Sequence, residues 1–159
     1  MEVQTDLAKW TARMVIELPS TERDLTEAER RFTKFIAKLQ LEPPTQFTLQ
    51  VAFHEALANA VEHGNKADPS KCVVAECMAN DRMMRIEVVD EGEGFNPQAV
   101  IDSASDPFHD RGRGLFLIRS LMDEVTYNDR GNALSMVKFG LHAAAQQHDG
   151  KDYGQTLQG

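Results

Sequence analysis

Two strand-forming segments separated by a tight turn limit most strongly what this chain can fold into. Residues 71–79 (KCVVAECMA) and 83–89 (MMRIEVV) are rich in strand formers, and Asn80 and Asp81 lie between them. Strands joined by so short a connection pair antiparallel, because a parallel pair needs a long crossover. The chain is therefore expected to contain an antiparallel sheet.

Further strands and helices are predicted around this hairpin. Strands are expected over residues 12–18, closed by Pro19, and over residues 124–128 and 133–139. Helical periodicity predicts a first helix that begins at Ser20 or Thr21 and ends before Pro43 and Pro44. A second helix is predicted from near Thr45 or Thr48 to about His63, where Gly64 and Asn65 stop it. A third helix is predicted to open on Gly112 and Gly114. The order predicts an α+β two-layer sandwich, with a mostly antiparallel mixed sheet covered on one face by three helices.

The length and charge of the chain narrow its class. Its 159 residues suit one domain, expected over 1–142, followed by a polar tail over 143–159 that is expected to be disordered. A net charge of −8 argues against nucleic acid as the main partner. The absence of a long apolar run and of a secretory signal predicts a cytoplasmic protein that does not span a membrane. Cys72 and Cys77 should lie on opposite faces of a strand, which argues against a local disulfide.

The segment EALANAVEHG places Glu55, Asn59 and His63 at steps of four on the second helix. An amide oxygen such as that of Asn59 can bind magnesium together with phosphate oxygens. A carboxylate one turn away, Glu55, could accept a proton from an attacking hydroxyl or water. A solvent-exposed polar face would give the same pattern, so this segment alone leaves both interpretations open. Zinc is not indicated, since the second histidine of HExxH is missing.

Two glycine motifs follow. In DEGEG, Asp90 ends a strand and could accept a hydrogen bond from an exocyclic amine, while Gly92 and Gly94 allow a close backbone approach. In GRGLFLI, glycines open a helix whose free amides and dipole suit a polyphosphate, next to Arg111 and Arg113. Each motif alone is equally compatible with an ordinary turn or helix entry. Neither is a Walker loop or a Rossmann fingerprint.

The three motifs in this order resemble the GHKL ATPase/kinase superfamily, whose ATP-binding fold is called the Bergerat fold. EALANAVEHGN is similar to its N box, DEGEGF to its first glycine box, and GRGLFLIRSLMDEV to its second. Within the superfamily the chain most resembles the anti-sigma factor serine kinases of bacterial partner-switching systems. The resemblance covers about residues 10–140.

The resemblance implies a set of roles for an ATP–magnesium site. Asn59 would bind magnesium, and Glu55 would be the general base. Asp90 would bind the adenine amino group, in a pocket shaped by Gly92, Gly94 and Phe95, with His63 and Asn65 at the edge of the site. Gly112, Gly114 and Leu115 would bind the phosphates, and Arg111 or Arg113, with Arg113 preferred, would contact the γ-phosphate. Residues 95–111 would form a lid over ATP. The last box of the family commonly has Gly followed by Thr before the final strand. In GNALSMVKF only Gly131 and Ser135 could correspond to these two residues, so the hydrogen bonding to adenine by the last strands is left undecided.

The function implied is an ATP-dependent protein serine/threonine kinase that is also an anti-sigma factor. Its expected substrate is a STAS-type anti-anti-sigma protein, its other partner a sigma factor or another regulator, and a homodimer is a family expectation. Partners would dock on the first helix and the lid side. The alternative is a non-catalytic ATP-binding module that sequesters a regulator. A histidine-kinase catalytic domain is disfavoured because no histidine precedes the first strand, and a topoisomerase or chaperone ATPase because no transducer domain follows.

Overall fold

Residues 9–96, 98 and 110–141 are described by a computed structural model of the chain. Their elements are β1 (Ala12–Pro19), α1 (Glu22–Ala37), α2 (Pro43–Asn59), a π-helical turn (Ala60–Gly64), β2 (Cys72–Ala79), β3 (Met83–Asp90), α3 (Asp110–Leu121), β4 (Glu124–Tyr127) and β5 (Ala133–Phe139). The strands form one sheet in the order β1-β2-β3-β5-β4, and its four pairings are antiparallel. The predicted α+β sandwich is confirmed. The predicted tail lies outside the described residues, as does most of the predicted lid.

The sheet shows one face to the helices and the other to solvent. Along β3, Met84, Ile86 and Val88 are buried, while Arg85 and Glu87 alternate with them on the outer face. The apolar stripe of α1 packs against α2, where the rings of Phe32 and Phe53 stack with centroids 4.0 Å apart and both are buried. This core anchors α2 over the sheet, and α2 carries the EALANAVEHG segment.

Helix α1 begins and ends largely as its sequence predicts. Thr21 caps it by accepting a 3.2 Å hydrogen bond from the amide of Asp24. It ends at Ala37, before the two prolines. The predicted start of α2 at Thr45 or Thr48 is wrong, because Pro43 and Pro44 open that helix instead of preceding it. Proline is tolerated there since the first helical residues have no intrahelical partner for their amides.

The second helix was predicted to stay α-helical to about His63, but the α-helix ends at Asn59. The helix widens into a π-helical turn over Ala60–Gly64, and the amide of Asn65 donates to the carbonyl of Ala60 at 2.8 Å. Such wide turns are rare and occur frequently at functional sites. Both cysteines are free, as expected. Among the described residues, no helix is both long and apolar enough to cross a membrane.

Candidate functional site

On the polar face of α2, the side chain of Asn59 is buried and does not form part of a solvated stripe. Asn59 is 8% exposed, and its Nδ2 is buried and has no hydrogen-bond partner in the part of the chain that the structure describes. Glu55, one turn earlier, is half-buried. An unsatisfied buried amide costs folding free energy, so it calls for an explanation such as an absent ligand.

The second glycine motif lies directly on this face. A Cβ added to Gly114 would stand 2.9 Å from Oε2 of Glu55 and 3.2 Å from Nδ2 of Asn59. Any larger residue at this position would press on both side chains. The structure therefore brings the EALANAVEHG and GRGLFLI segments together, although 55 residues separate Asn59 from Gly114 in the sequence.

The helix that carries these glycines begins earlier than predicted. α3 starts at Asp110, so Gly112 and Gly114 lie inside its first two turns and do not precede it. An α-helix satisfies its own amides after the first few residues. Gly114 and Leu115 lie at positions of α3 where an α-helix satisfies its own amides, and the prediction that these residues hold phosphates stays a prediction.

The DEGEG turn adjoins the end of the π-helical turn. Asp90 is 7% exposed, and its Oδ1 accepts a 2.8 Å hydrogen bond from the amide of Gly92. A Cβ on Gly64 would lie 2.4 Å from the carboxylate carbon of Asp90, and one on Gly92 would lie 2.1 Å from the carbonyl oxygen of Gly64. Gly64 is needed because the carboxylate of Asp90 lies against it, and Gly92 because the backbone of Gly64 does.

The β4–β5 turn packs on the chain just after this point. Gly94 and Gly131 have positive φ of 80° and 77°, and a Cβ on Gly131 would meet the carbonyl oxygen of Phe95 at 2.2 Å. The ring of Phe95 contacts that of Tyr127 edge to face, with centroids 4.9 Å apart. Phe95 is therefore held at the rim formed by the ends of β3, β4 and β5.

These segments enclose one cleft between α2 and the sheet. Its lining comprises Ala56, Asn59, Ala60, Val88, Asp90, Tyr127, Gly131, Asn132 and Leu134. Its volume of about 250 Å³ includes space that is open to solvent. Apolar side chains such as Val88 and Leu134 together with the single carboxylate of Asp90 have the chemistry that suits the base of a nucleotide.

Tyr127 and Asn132 line this cleft but were missed by the sequence interpretation. Tyr127 is the last residue of β4, and Asn132 directly precedes β5. Their position at the ends of strands is the one sequence signal that could have indicated them. Ser135, considered for the last box, lies on the outer face of the sheet, where its Oγ accepts a 3.2 Å hydrogen bond from Arg85. It is therefore remote from the cleft, and of the two residues considered only Gly131 lines it.

Of the other predicted site residues, His63 and Arg113 are not among the described residues that line the cleft. His63 is half-buried within the π-helical turn, and Arg113 is exposed on α3. Arg111 lies on the first turn of α3. The structure thus groups Glu55, Asn59 and Gly114 at one end of the site, and Asp90, Gly92, Gly94 and Phe95 at the other.

The residues present fit a magnesium–nucleotide complex. Nδ2 of Asn59 is an unused donor for an acceptor atom of the nucleotide, its Oδ1 is an oxygen of the kind that magnesium binds, and Gly114 leaves room where a Cβ would otherwise stand. Among the described residues no group of three His, Cys, Asp or Glu side chains comes together. Magnesium does not require one, because it is often bound through one or two protein oxygens plus the phosphates of the substrate.

Comparison with known families agrees with this geometry. The model of the histidine kinase-like ATPase domain matches residues 18–138, a span that contains all three motifs. The chain belongs to this family of ATPase domains.

Named relatives lie within one group of kinases. The chain is 37% identical over 101 residues to the serine-protein kinase RsbW of Staphylococcus epidermidis, an alignment that covers 57% of this chain and 63% of that protein. It is 31% identical over 114 residues to the serine-protein kinase RsbW of Bacillus subtilis, covering 64% and 68%. The chain thus spans somewhat less than two thirds of the staphylococcal relative.

A solved structure shares the fold. The RsbU and RsbW domains of Rv1364c from Mycobacterium tuberculosis superpose with a TM-score of 0.57 at 20% identity, over 84% of this chain and 33% of that one. At this identity the likeness supports the fold alone.

Proposed function

We propose that this chain is an ATP-dependent protein serine/threonine kinase of a bacterial partner-switching system, which also acts as an anti-sigma factor. The observation that carries the proposal is the convergence of three separated motifs on one cleft. Asn59 and Asp90 both line that cleft, and Gly114 packs on Asn59. The similarity to proteins named serine-protein kinase RsbW supports the same reaction.

The base of ATP would occupy the slot between α2 and β3. Asp90 would accept a hydrogen bond from the adenine amino group, while Val88 and Leu134 would contact the ring system. Phe95, Gly92 and Gly94 would shape the rim, and His63 would stand at the edge. A slot of this kind favours adenine, because the carboxylate can pair with an amino group but would repel a carbonyl oxygen.

The phosphates would extend from the slot towards Glu55 and the start of α3. Asn59 would hold magnesium, which when bound neutralises charge on the phosphates. Glu55 would accept the proton of the substrate hydroxyl, and Arg113, or Arg111 in its place, would stabilise charge on the transferred group. Gly112, Gly114 and Leu115 would contact the phosphates once the first turns of α3 move off Glu55 and Asn59.

The proposed substrate is a serine or threonine hydroxyl of a STAS-type anti-anti-sigma protein. A sigma factor or another regulator would be the second partner, and we expect a homodimer in the cytoplasm. The chain's acidic character, with a net charge of −8, supports protein partners over nucleic acid. Docking on α1 and on the lid side of the site is proposed from the family resemblance.

The test is transfer of labelled phosphate from ATP to the STAS-domain proteins of the same organism. Glu55→Ala should slow transfer by about 10²–10⁴-fold, the usual contribution of a general base, while the Kd for ATP is nearly unchanged. Glu62→Ala is the matched control, since Glu62 is exposed beyond the same helix and contributes no lining to the cleft. Intact transfer in Glu55→Ala would show that the base lies elsewhere.

One observation favours the alternative of a non-catalytic ATP-binding module. In this conformation Gly114 of α3 packs against the carboxylate of Glu55, so part of the proposed general base is covered. If the wild type and Glu55→Ala bind ATP alike and neither transfers phosphate to any STAS partner, the binding module is the correct function.

A further inference from the structure

Two asparagine side chains hold the same peptide group, the one that follows Asp90. Nδ2 of Asn132 donates to the carbonyl oxygen of Asp90 at 3.1 Å. The amide of Glu91, the other half of that peptide, donates to Oδ1 of Asn65 at 2.8 Å. The peptide is therefore fixed at its oxygen and at its nitrogen, by residues from different parts of the chain.

The side-chain amide of Asn65 is held in one orientation by its hydrogen bonds. It is fully buried, and its Nδ2 donates to Oγ of Ser20 and to the carbonyl oxygen of Cys72, each at 2.9 Å. These three bonds assign its oxygen and nitrogen unambiguously, because the oxygen faces a donor and the nitrogen faces a carbonyl. Asn65 is fully buried and does not line the cleft, so it acts on a bound nucleotide through the residues it holds.

Asn132 is locked from the opposite side. Its Oδ1 accepts from Nδ2 of Asn128 at 2.7 Å, and its amide donates to Oδ1 of Asn128 at 3.0 Å. Its carbonyl oxygen accepts a 2.9 Å hydrogen bond from the amide of Asp90. Asn132 directly follows Gly131, at the place where the sequence departs from the family pattern of Gly followed by Thr.

We propose that Asn65 and Asn132 are positioning residues that set the carboxylate of Asp90 for recognition of an adenine amino group. Fixing the peptide after Asp90 fixes the backbone torsions on either side of it, and with them the direction in which the side chain leaves the chain. The hydrogen bond from Gly92 to Oδ1 then fixes the carboxylate itself. This inference rests on the proposed function, since it names what selects the nucleotide at that site.

Nucleotide selectivity is the property that separates positioning from simple structural support. The probes are ATP and purine riboside triphosphate, which lacks the amino group at position 6. A variant that merely destabilises the fold lowers the affinity for both nucleotides by the same factor. A variant that misplaces the carboxylate lowers the affinity for ATP alone.

The experiment measures both Kd values by titration calorimetry for the wild type, Asn65→Ala, Asn132→Ala and Asn132→Thr. We expect the preference for ATP to shrink roughly two- to tenfold in both alanine variants, the equivalent of one hydrogen bond. Asn132→Thr, which keeps a donor, should retain most of the preference. The matched control is Asn80→Ala: Asn80 makes the same kind of backbone hydrogen bonds, to Arg82 and Met83, at the far end of β2 and β3.

The outcomes separate the two proposals. An unchanged preference in Asn132→Ala, or an equal loss of preference in Asn80→Ala, overturns the positioning role, and Asn132→Ala decides the matter should Asn65→Ala not fold. A wild type that binds ATP without preferring it to purine riboside triphosphate also overturns it. A wild type that binds neither nucleotide overturns the proposed function itself.

Discussion

The unpartnered amide of Asn59 predicts that removing it makes the nucleotide-free protein more stable. Within the described residues Nδ2 is buried without a hydrogen bond, and such a group costs about 1–3 kcal/mol. Alanine also has a higher helix propensity than asparagine by about 0.5 kcal/mol. Loss of the side chain's packing offsets part of this gain. Asn59→Ala should therefore raise the free energy of unfolding by about 1 kcal/mol, the net of these terms.

The same substitution at Asn65 should have the opposite sign. Asn65 is also buried, but its side chain makes three hydrogen bonds. At about 1 kcal/mol each, Asn65→Ala should cost about 3 kcal/mol or more. For a chain of this size the melting temperature should rise by about 2–4 °C in Asn59→Ala and fall by about 6–12 °C in Asn65→Ala.

Urea unfolding followed by circular dichroism, without nucleotide, measures both changes. Titration with ATP and magnesium then tests function, and Asn59→Ala should have lost magnesium-dependent ATP binding despite its greater stability. A destabilised Asn59→Ala would refute the reasoning, because it would show that the amide is satisfied within the folded protein. Unchanged nucleotide affinity would instead count against Asn59 as the magnesium ligand.

Two further predictions concern backbone contact and thiol chemistry. Gly92→Ala should abolish ATP binding and lower stability, because its Cβ would stand 2.1 Å from the carbonyl oxygen of Gly64. In the control Gly140→Ala the Cβ meets no atom of the described residues within 4 Å, so with a φ of +69° this variant should lose only about 1 kcal/mol of stability to backbone strain, measured by thermal unfolding. Burial raises the pKa of the Cys77 thiol from 9.0 to about 12, with Glu76 adding to the shift. A thiol reagent at pH 8 should leave Cys77 unlabelled until the protein unfolds. Because the unfolded thiol loses its proton first, stability should fall as pH rises from 9 towards 12, and a stability that stays level over that range would contradict the burial.

Local patterns in the sequence were sufficient for most of the elements. The bounds of β5 were predicted at both ends, since alternating apolar residues between a glycine turn and a polar stretch leave little choice. The start of α2 was not, because Pro43 and Pro44 signal a boundary without saying on which side of it the helix lies. The π-helical turn was also missed, because Gly64 and Asn65 were interpreted as ordinary stop residues, whereas the amide of Asn65 donates to the carbonyl of Ala60 and closes the wider turn.

The sequence by itself determined most of the helices and strands and, through three short motifs, the nucleotide chemistry that the site should have. Motif chemistry is local, and residue types such as a helical amide or a glycine pair can be recognised without knowing their neighbours.

Tertiary structure alone decided which residues meet. It showed that Gly114 presses on Glu55 and Asn59, and that Asn65 and Asn132 grip the peptide after Asp90. These contacts join segments far apart in the chain, and their distances depend on how the helices pack over the sheet, which no short stretch of sequence specifies.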